Sequence, residues 1–203
     1  MKQLSKESFQ RLYEIAEMQQ GFFTTKQAIA AGYADKTHYY NVHAGNWIRE
    51  YRGIYRLSNF PHSEESDLVI WSLWSRNKQD IPQGIYSHET ALSIHDLSDL
   101  MSSKLHMIVP PRFRRNSEIP EILVLHRAQL QESDIEARQG FQVTTPLRTI
   151  TDLMVEQTVT PDIITQALRE AVEKGLITRG AIKQVKSQTI QLQLEAIFQE
   201  VSL

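Results

Sequence analysis

The chain of 203 residues contains no cysteine. That absence excludes a disulfide framework, a thiolate metal centre and a thiol nucleophile. Long apolar runs are missing as well: no stretch reaches the roughly 18 uninterrupted apolar residues of a membrane span, and the first residues lack the charged-then-apolar order of a secretory signal. The expectation is a cytoplasmic protein with no membrane partner. There is no Gly-rich phosphate loop, Gly-x-Ser-x-Gly elbow, His-Glu-x-x-His pair or acid-x-Lys nuclease signature, and no internal repeat or low-complexity tract. The expectation from these absences is a protein with no catalytic residues, no cofactor and no metal, and so not an enzyme.

Charge of one sign is scarce overall but not locally. The chain carries a net charge of −2, which spread evenly would speak against a polyanionic partner. Residues 1–60 hold eight basic side chains (Lys2, Lys6, Arg11, Lys26, Lys36, Arg49, Arg52, Arg56) against five acidic ones (Glu7, Glu14, Glu17, Asp35, Glu50), a balance of +3, so the remainder stands at −5. A mildly basic head on an acidic body suits a DNA-contacting module attached to something else.

The local signals in the head are ordered. Ser5 is placed to cap a helix whose apolar positions Phe9, Leu12, Ile15 and Ala16 recur at three- and four-residue spacing, carrying it to about Gln20 before Gly21. Thr24 and Gln27 have capping-box spacing, so a short helix starts there and ends at Gly32. A third helix is expected from an Asp35 cap to Ala44, closed by Gly45. Two short helices about a glycine turn make a helix-turn-helix. Trp47 to Leu57 then reads as two β-prone runs about Arg52-Gly53, a wing. On the third helix Lys36, Thr37, Tyr39, Tyr40 and His43 are placed to meet base edges or phosphates, with His38, Asn41 and Val42 on the other face. Lys26, Arg49, Arg52 and an outward-facing Arg56 complete the expected DNA-binding set, the wing arginines serving phosphates.

Pro61 and Ser63-Glu64-Glu65-Ser66 read as a linker, dividing the chain into a winged helix-turn-helix domain at 1–60 and an α/β regulatory domain at 61–203. Leu68, Ile70, Trp71 and Trp74 mark a buried helix, and another spans about Ser87 to Ile94. Three β-prone runs follow, Leu105 to Val109, Ile122 to Leu125 and Phe141 to Thr144, and predict a small mixed sheet. Thr160-Pro161 opens a helix closed by Gly175, Thr178 is placed to cap another, and Ile190, Leu194, Ile197 and Phe198 mark a last amphipathic one. The fold class is thus α+β: a winged helix-turn-helix, then a mixed α/β domain with a small sheet and C-terminal helices.

In that second domain His88, Glu89, His95 and Asp96 are the best metal-ligand candidates. His88 and His95 are seven apart, however, roughly 10 Å along one helix, too far to share an ion. Ser87 capping that helix, with local polar pairing, is the favoured reading. Arg112, Arg114 and Arg115, interleaved with Phe113, form the densest basic cluster, either a solvated loop tip or a second contact for DNA or a partner. Arg148 and Asp152 stand four apart on one helix, where a structural pair is expected.

Several segments together resemble a known family. These are Gly21-Phe22-Phe23-Thr24-Thr25-Lys26-Gln27-Ala28, Ala31-Gly32, and Arg52-Gly53-Ile54-Tyr55-Arg56-Leu57. With them go Tyr86-Ser87-His88-Glu89-Thr90-Ala91-Leu92-Ser93-Ile94-His95-Asp96-Leu97 and Thr144-Thr145-Pro146-Leu147-Arg148-Thr149-Ile150-Thr151-Asp152-Leu153. In this order they resemble AbiEi-type antitoxins, regulators of abortive-infection toxin-antitoxin pairs, over roughly residues 20 to 155. His38, Asn41 and Asn46 depart from the family pattern. The resemblance implies autorepression of a two-gene operon by binding inverted repeats in double-stranded DNA, as a monomer or dimer. It also implies a nucleotidyltransferase-like toxin as cognate partner. Similar amino-terminal regions also precede nuclease domains, which leaves a DNA-processing enzyme as the alternative, and a winged helix serving only as a protein-binding module as a third reading.

Overall fold

The computed structural model of the chain describes residues 2–201, with side chains described for residues 6–200. It divides into two compact units, Met1–Gly84 with Ala137–Phe141, and Ile85–Glu136 with Gln142–Leu203. The α+β class expected from the sequence is the one observed.

Unit one runs α1 (Lys2–Glu17), β1 (Phe22–Thr24), α2 (Thr25–Ala30), α3 (Lys36–His43), β2 (Trp47–Tyr51), β3 (Ile54–Leu57) and α4 (Ser66–Trp74). The first six elements are the helix-turn-helix and its wing. Because α1 begins at Lys2, Ser5 lies inside it, and its expected cap falls on a side chain outside the described residues. Leu12 and Ala16 are enclosed while Phe9 stays 46% exposed, so the buried face of α1 is narrower than the apolar spacing implies. The helix stops where Gly21, at φ +91°, turns the chain into β1; a Cβ there would also lie 2.4 Å from the Phe60 side chain, so two independent constraints demand glycine. The Thr24–Gln27 capping box forms as expected, the threonine hydroxyl accepting from Gln27 N and the Gln27 side chain from Thr24 N. The strands pair antiparallel in the order β1-β3-β2, which makes β3 central. Helices α1 and α4 both pack on β3, so the compact unit runs past residue 60 and takes in α4. Its core is Leu12, Ala16, Phe23, Ala28, Ala31, Trp47 and Leu57; each large side chain withdrawn from water there contributes about 1.5–3 kcal/mol.

Unit two contains β4 (Ile85–Tyr86), α5 (His88–Ile94), β5 (Leu105–Val109), β6 (Leu123–Arg127), a 3-10 turn at Glu132–Asp134, β7 (Ile135–Arg138) and β8 (Phe141–Thr144). Four helices follow: α6 (Pro146–Glu156), α7 (Pro161–Glu173), α8 (Arg179–Ile182) and α9 (Gln188–Val201). The sheet order is β6-β5-β4-β8-β7, mixed as expected: β4 is antiparallel to β5 and parallel to β8, and β5 is parallel to β6. Two strands did not stand out from composition: β4 has only two residues, and in β7 the charged Glu136 and Arg138 leave no β-prone run. Helices α6, α7 and α9 close over a core of Leu92, Ile150, Leu153, Leu168 and Leu194. The Thr178 hydroxyl accepts from Ala181 N as expected. Two expected caps are not made in that form: Thr160 and Ser87 occupy cap positions without a side-chain cap bond, and Ser87 Oγ pairs instead with His88 Nδ1 at 2.9 Å. No described helix is long and apolar enough to cross a membrane.

One buried polar residue of unit one has a measurable consequence. His38 is 3% exposed, its Nε2 has no hydrogen-bond partner among the described residues, and burial lowers its pKa despite the nearby Asp35 charge. The folded state therefore takes up its proton at lower pH than the unfolded chain, whose imidazole titrates near pH 6.5. Above that value the group leaves stability unchanged; as pH falls through it, the unfolded state binds the extra proton and stability drops. His38→Phe should therefore lose less melting temperature than the wild type between pH 7.5 and 5.5. Parallel melting curves across that range would show that His38 does not carry this sensitivity.

Candidate nucleic-acid interface

Helix α3 is held by one side and displays the other. Its inner residue His38 lies with its ring centroid 5.2 Å from Trp47 and 6.0 Å from Tyr55, and the indole in turn meets Tyr33 at 5.0 Å and Phe23 at 4.9 Å. Asn41 ties back to the Thr37 carbonyl, and Val42 joins the core. The opposite face carries Lys36, Tyr39, Tyr40 and His43, all exposed. Tyr39 and Tyr40 are 73% and 72% exposed, so packing within the unit does not account for either ring. The Tyr39 ring meets that of His43 at a tilt of 54°, centroids 4.1 Å apart.

Two expectations for this helix are corrected. Asp35 sits at the cap position with helical dihedrals and makes no side-chain cap bond; its carboxylate lies instead 3.5 Å from His38 Nδ1. Thr37, expected to face DNA, is half-buried, and its hydroxyl donates to the Ala34 carbonyl at 2.6 Å. That local bond tightens the first turn and engages the proton the groove contact would use.

The wing forms about Arg52-Gly53, with a register shift between Arg49 and Tyr51. Arg49 and Arg52 are exposed, as expected. Arg56 is not: it is buried, its Nε donates to Glu50 Oε1 at 2.7 Å, an Nη donates to the Phe60 carbonyl, and its guanidinium lies 5.9 Å over the Phe22 ring. The outward placement assumed an edge strand with one open face. Because β3 is central and packed by two helices, alternation along it marks no solvent side. Lys26 is exposed, with its ammonium donating to the Lys78 carbonyl at 2.9 Å.

Unit two accounts for the other candidates. Arg112, Arg114 and Arg115 lie exposed on the loop between β5 and β6. Arg148 donates through Nε to both Asp152 oxygens at 2.9 Å and through Nη1 to Asp134 at 3.2 Å, so it fastens α6 to the 3-10 turn before β7. The pair expected from spacing forms, and Asp134 is a further partner that spacing alone did not reveal. His95 and His88 go separate ways. His95 Nε2 pairs with the Thr144 carbonyl at 2.8 Å, whereas His88 turns toward His106, His126 and Glu156. Those three residues were missed because a search along one helix does not reach two strands and a second helix.

Residues 10–58 match the family model described as transcriptional regulator, AbiEi antitoxin. It is the family that the sequence motifs resemble, and the match points to a DNA-binding regulator. No curated protein matches the chain. Among solved structures, the RV2827C protein from Mycobacterium tuberculosis is similar at 10% identity, covering 94% of this chain and 81% of that one, with a TM-score of 0.48.

The two wing arginines of contrasting burial should separate stability from surface chemistry. Arg56→Ala removes the partner of Glu50 and should cost roughly 2–3 kcal/mol, less than the about 3–5 of a fully enclosed pair because Glu50 keeps some water contact. Arg52→Ala should stay within about 0.5 kcal/mol of wild type. Chemical denaturation of the two variants measures this, and equal stability would mean that Arg56 is not held as described.

Proposed function

We propose that this chain is a sequence-specific transcriptional repressor, the antitoxin of a toxin-antitoxin operon, which autoregulates by binding operator repeats in double-stranded DNA. The observation that carries the reading is the free face of α3, where two tyrosines lie bare beside Lys36 and His43, next to a wing bearing Arg49 and Arg52. A recognition helix needs such a face, with rings and hydrogen-bonding tips free to meet base edges, and a wing needs cations for the flanking phosphates. The match of residues 10–58 supports regulation of transcription. The toxin partnership rests on the motif resemblance, and we assign the partner the nucleotidyltransferase-like class on that ground alone. In this reading the protein is cytoplasmic, catalyses nothing, and binds an inverted repeat with two heads, since one head reads one half-site.

Meeting of His88, His126 and Glu156 in unit two is the observation that favours the second reading, a DNA-processing enzyme. Incubating duplex DNA with the protein and Mg2+ or Mn2+ separates the two: cleavage abolished by Glu156→Gln would replace the repressor with a nuclease.

Gel shifts against the chain's own upstream DNA test the leading reading. Arg52→Ala should weaken binding to specific and random duplexes alike and lower the salt slope by about 0.9. Tyr40→Ala should instead change the ratio between specific and random DNA, by an amount within the about 1–3 kcal/mol of a base contact. If every α3 variant loses specific and random binding equally, this helix does not read bases. If the protein shifts no DNA at all, the winged helix binds something else.

A further inference from the structure

Side chains far apart in sequence meet beside the sheet of unit two. His88 opens α5, His106 and His126 stand on the neighbouring strands β5 and β6, and Glu156 ends α6. One donor atom from each of His88, His126 and Glu156 lies within 4.8 Å of the other two. Glu156 divides its carboxylate between the rings, Oε1 lying 3.2 Å from His88 Nε2 and Oε2 lying 3.2 Å from His126 Nδ1. Ligands about 2.0–2.1 Å from a tetrahedral zinc ion are separated by about 3.3 Å, which the two histidine-to-carboxylate spacings match, while the two ring nitrogens lie within 4.8 Å of each other.

The hydrogen-bonding of the rings points the same way. His88 is 1% exposed, and despite the nearby carboxylate its Nε2 makes no hydrogen bond of acceptable geometry to any described residue. A buried nitrogen whose nearest acceptor, the Glu156 carboxylate, stands out of hydrogen-bond alignment is uncommon and calls for an explanation. Its other nitrogen, Nδ1, lies 2.9 Å from Ser87 Oγ, while His126 Nε2 lies 3.1 Å from His106 Nδ1, whose Nε2 in turn faces Glu89 at 3.8 Å. If each of these outer nitrogens carries the ring proton, His88 Nε2 and His126 Nδ1 are both left with bare lone pairs toward Glu156. Outer hydrogen bonds of this kind orient imidazole ligands toward a metal. His88 also holds a φ of +52°, a conformation that non-glycine residues keep only where their surroundings impose it.

We propose that unit two binds one divalent transition-metal ion, of the zinc class, through His88 Nε2, His126 Nδ1 and the Glu156 carboxylate, with His106 supporting His126 from behind. Two imidazoles and one carboxylate suit such an ion better than Mg2+ or Ca2+, which prefer all-oxygen shells. Three protein ligands leave a coordination position for water, and Glu156, 39% exposed, opens the site to solvent. The His88 and His126 rings stack at 3.7 Å and 12°, so their lone pairs run side by side. Ligation turns His126, on the edge strand β6, out of that stack until both lone pairs converge. The ion would join α5, β6 and α6. This assignment is independent of the DNA-binding reading, because its residues all belong to the other unit.

Calorimetric titration of the chelator-treated full-length protein with Zn2+ tests the proposal, with thermal melting at each zinc concentration. One equivalent should bind, and the melting temperature should rise with zinc concentration. Glu156→Gln and His126→Gln, with the fold of each checked by circular dichroism, should each bind at least about tenfold more weakly. Mg2+ should not compete. Absence of saturable one-to-one binding would overturn the site, as would unchanged zinc affinity in both variants, which would place the ion on other residues.

Discussion

The buried indole of Trp47 is the contact on which the first unit turns. Its ring meets Phe23 from β1, Tyr33 from the turn before α3, His38 from α3 itself and Tyr55 from β3, at centroid separations between 4.9 and 5.7 Å. Such pairs add about 0.5–1.5 kcal/mol each beyond the area they bury. One side chain therefore fixes the rotation of α3 relative to the wing. Since His38 is pinned inward, residues rotated well away from it around the helix must point out, and Lys36, Tyr39, Tyr40 and His43 are those residues. The display of a candidate reading surface is thus a consequence of packing on its reverse side.

Much of this unit was legible because its signals are local. A capping box needs two residues three apart, and a helix stop needs one glycine; Thr24, Gln27 and Gly32 supply these directly. What failed depended on tertiary neighbours. Arg56 belongs to a strand whose alternation resembles that of an edge, and only the pairing order β1-β3-β2 with helices packed on it shows that neither face is free. Asp35 looked like a cap because aspartate commonly caps helices, yet with helical dihedrals at that position its carboxylate makes no cap bond. In unit two, the pairing of Arg148 with Asp152 follows from spacing, but Asp134 reaches the guanidinium only through the turn that precedes β7. The histidine cluster was beyond any spacing rule, since positions 88, 106, 126 and 156 share no period. They converge because β5 and β6 lie side by side and α5 packs on α6.

Accounting for the cations changes what the basic head can do. The formal balance of +3 over residues 1–60 is unchanged by the internal Arg56–Glu50 pair, but Arg56 is spent inside the unit and the Lys26 ammonium, still charged, already donates to a carbonyl. Lys36, Arg49 and Arg52 remain exposed beside the α3 face. Three phosphate contacts would give a salt slope of only about −2.7 per head, far from the steep dependence of strongly basic DNA-binding domains. In the proposed repressor the non-specific attraction of one head is then weak, and selectivity would come from the ring-bearing face of α3. Affinity in the proposed repressor would have to come from joining two heads on one repeat, where the second contact is made at high effective concentration. In the proposed repressor, a weak electrostatic footing with a bare aromatic face would favour an inverted repeat as the target, because a single half-site would hold such a head too loosely to repress.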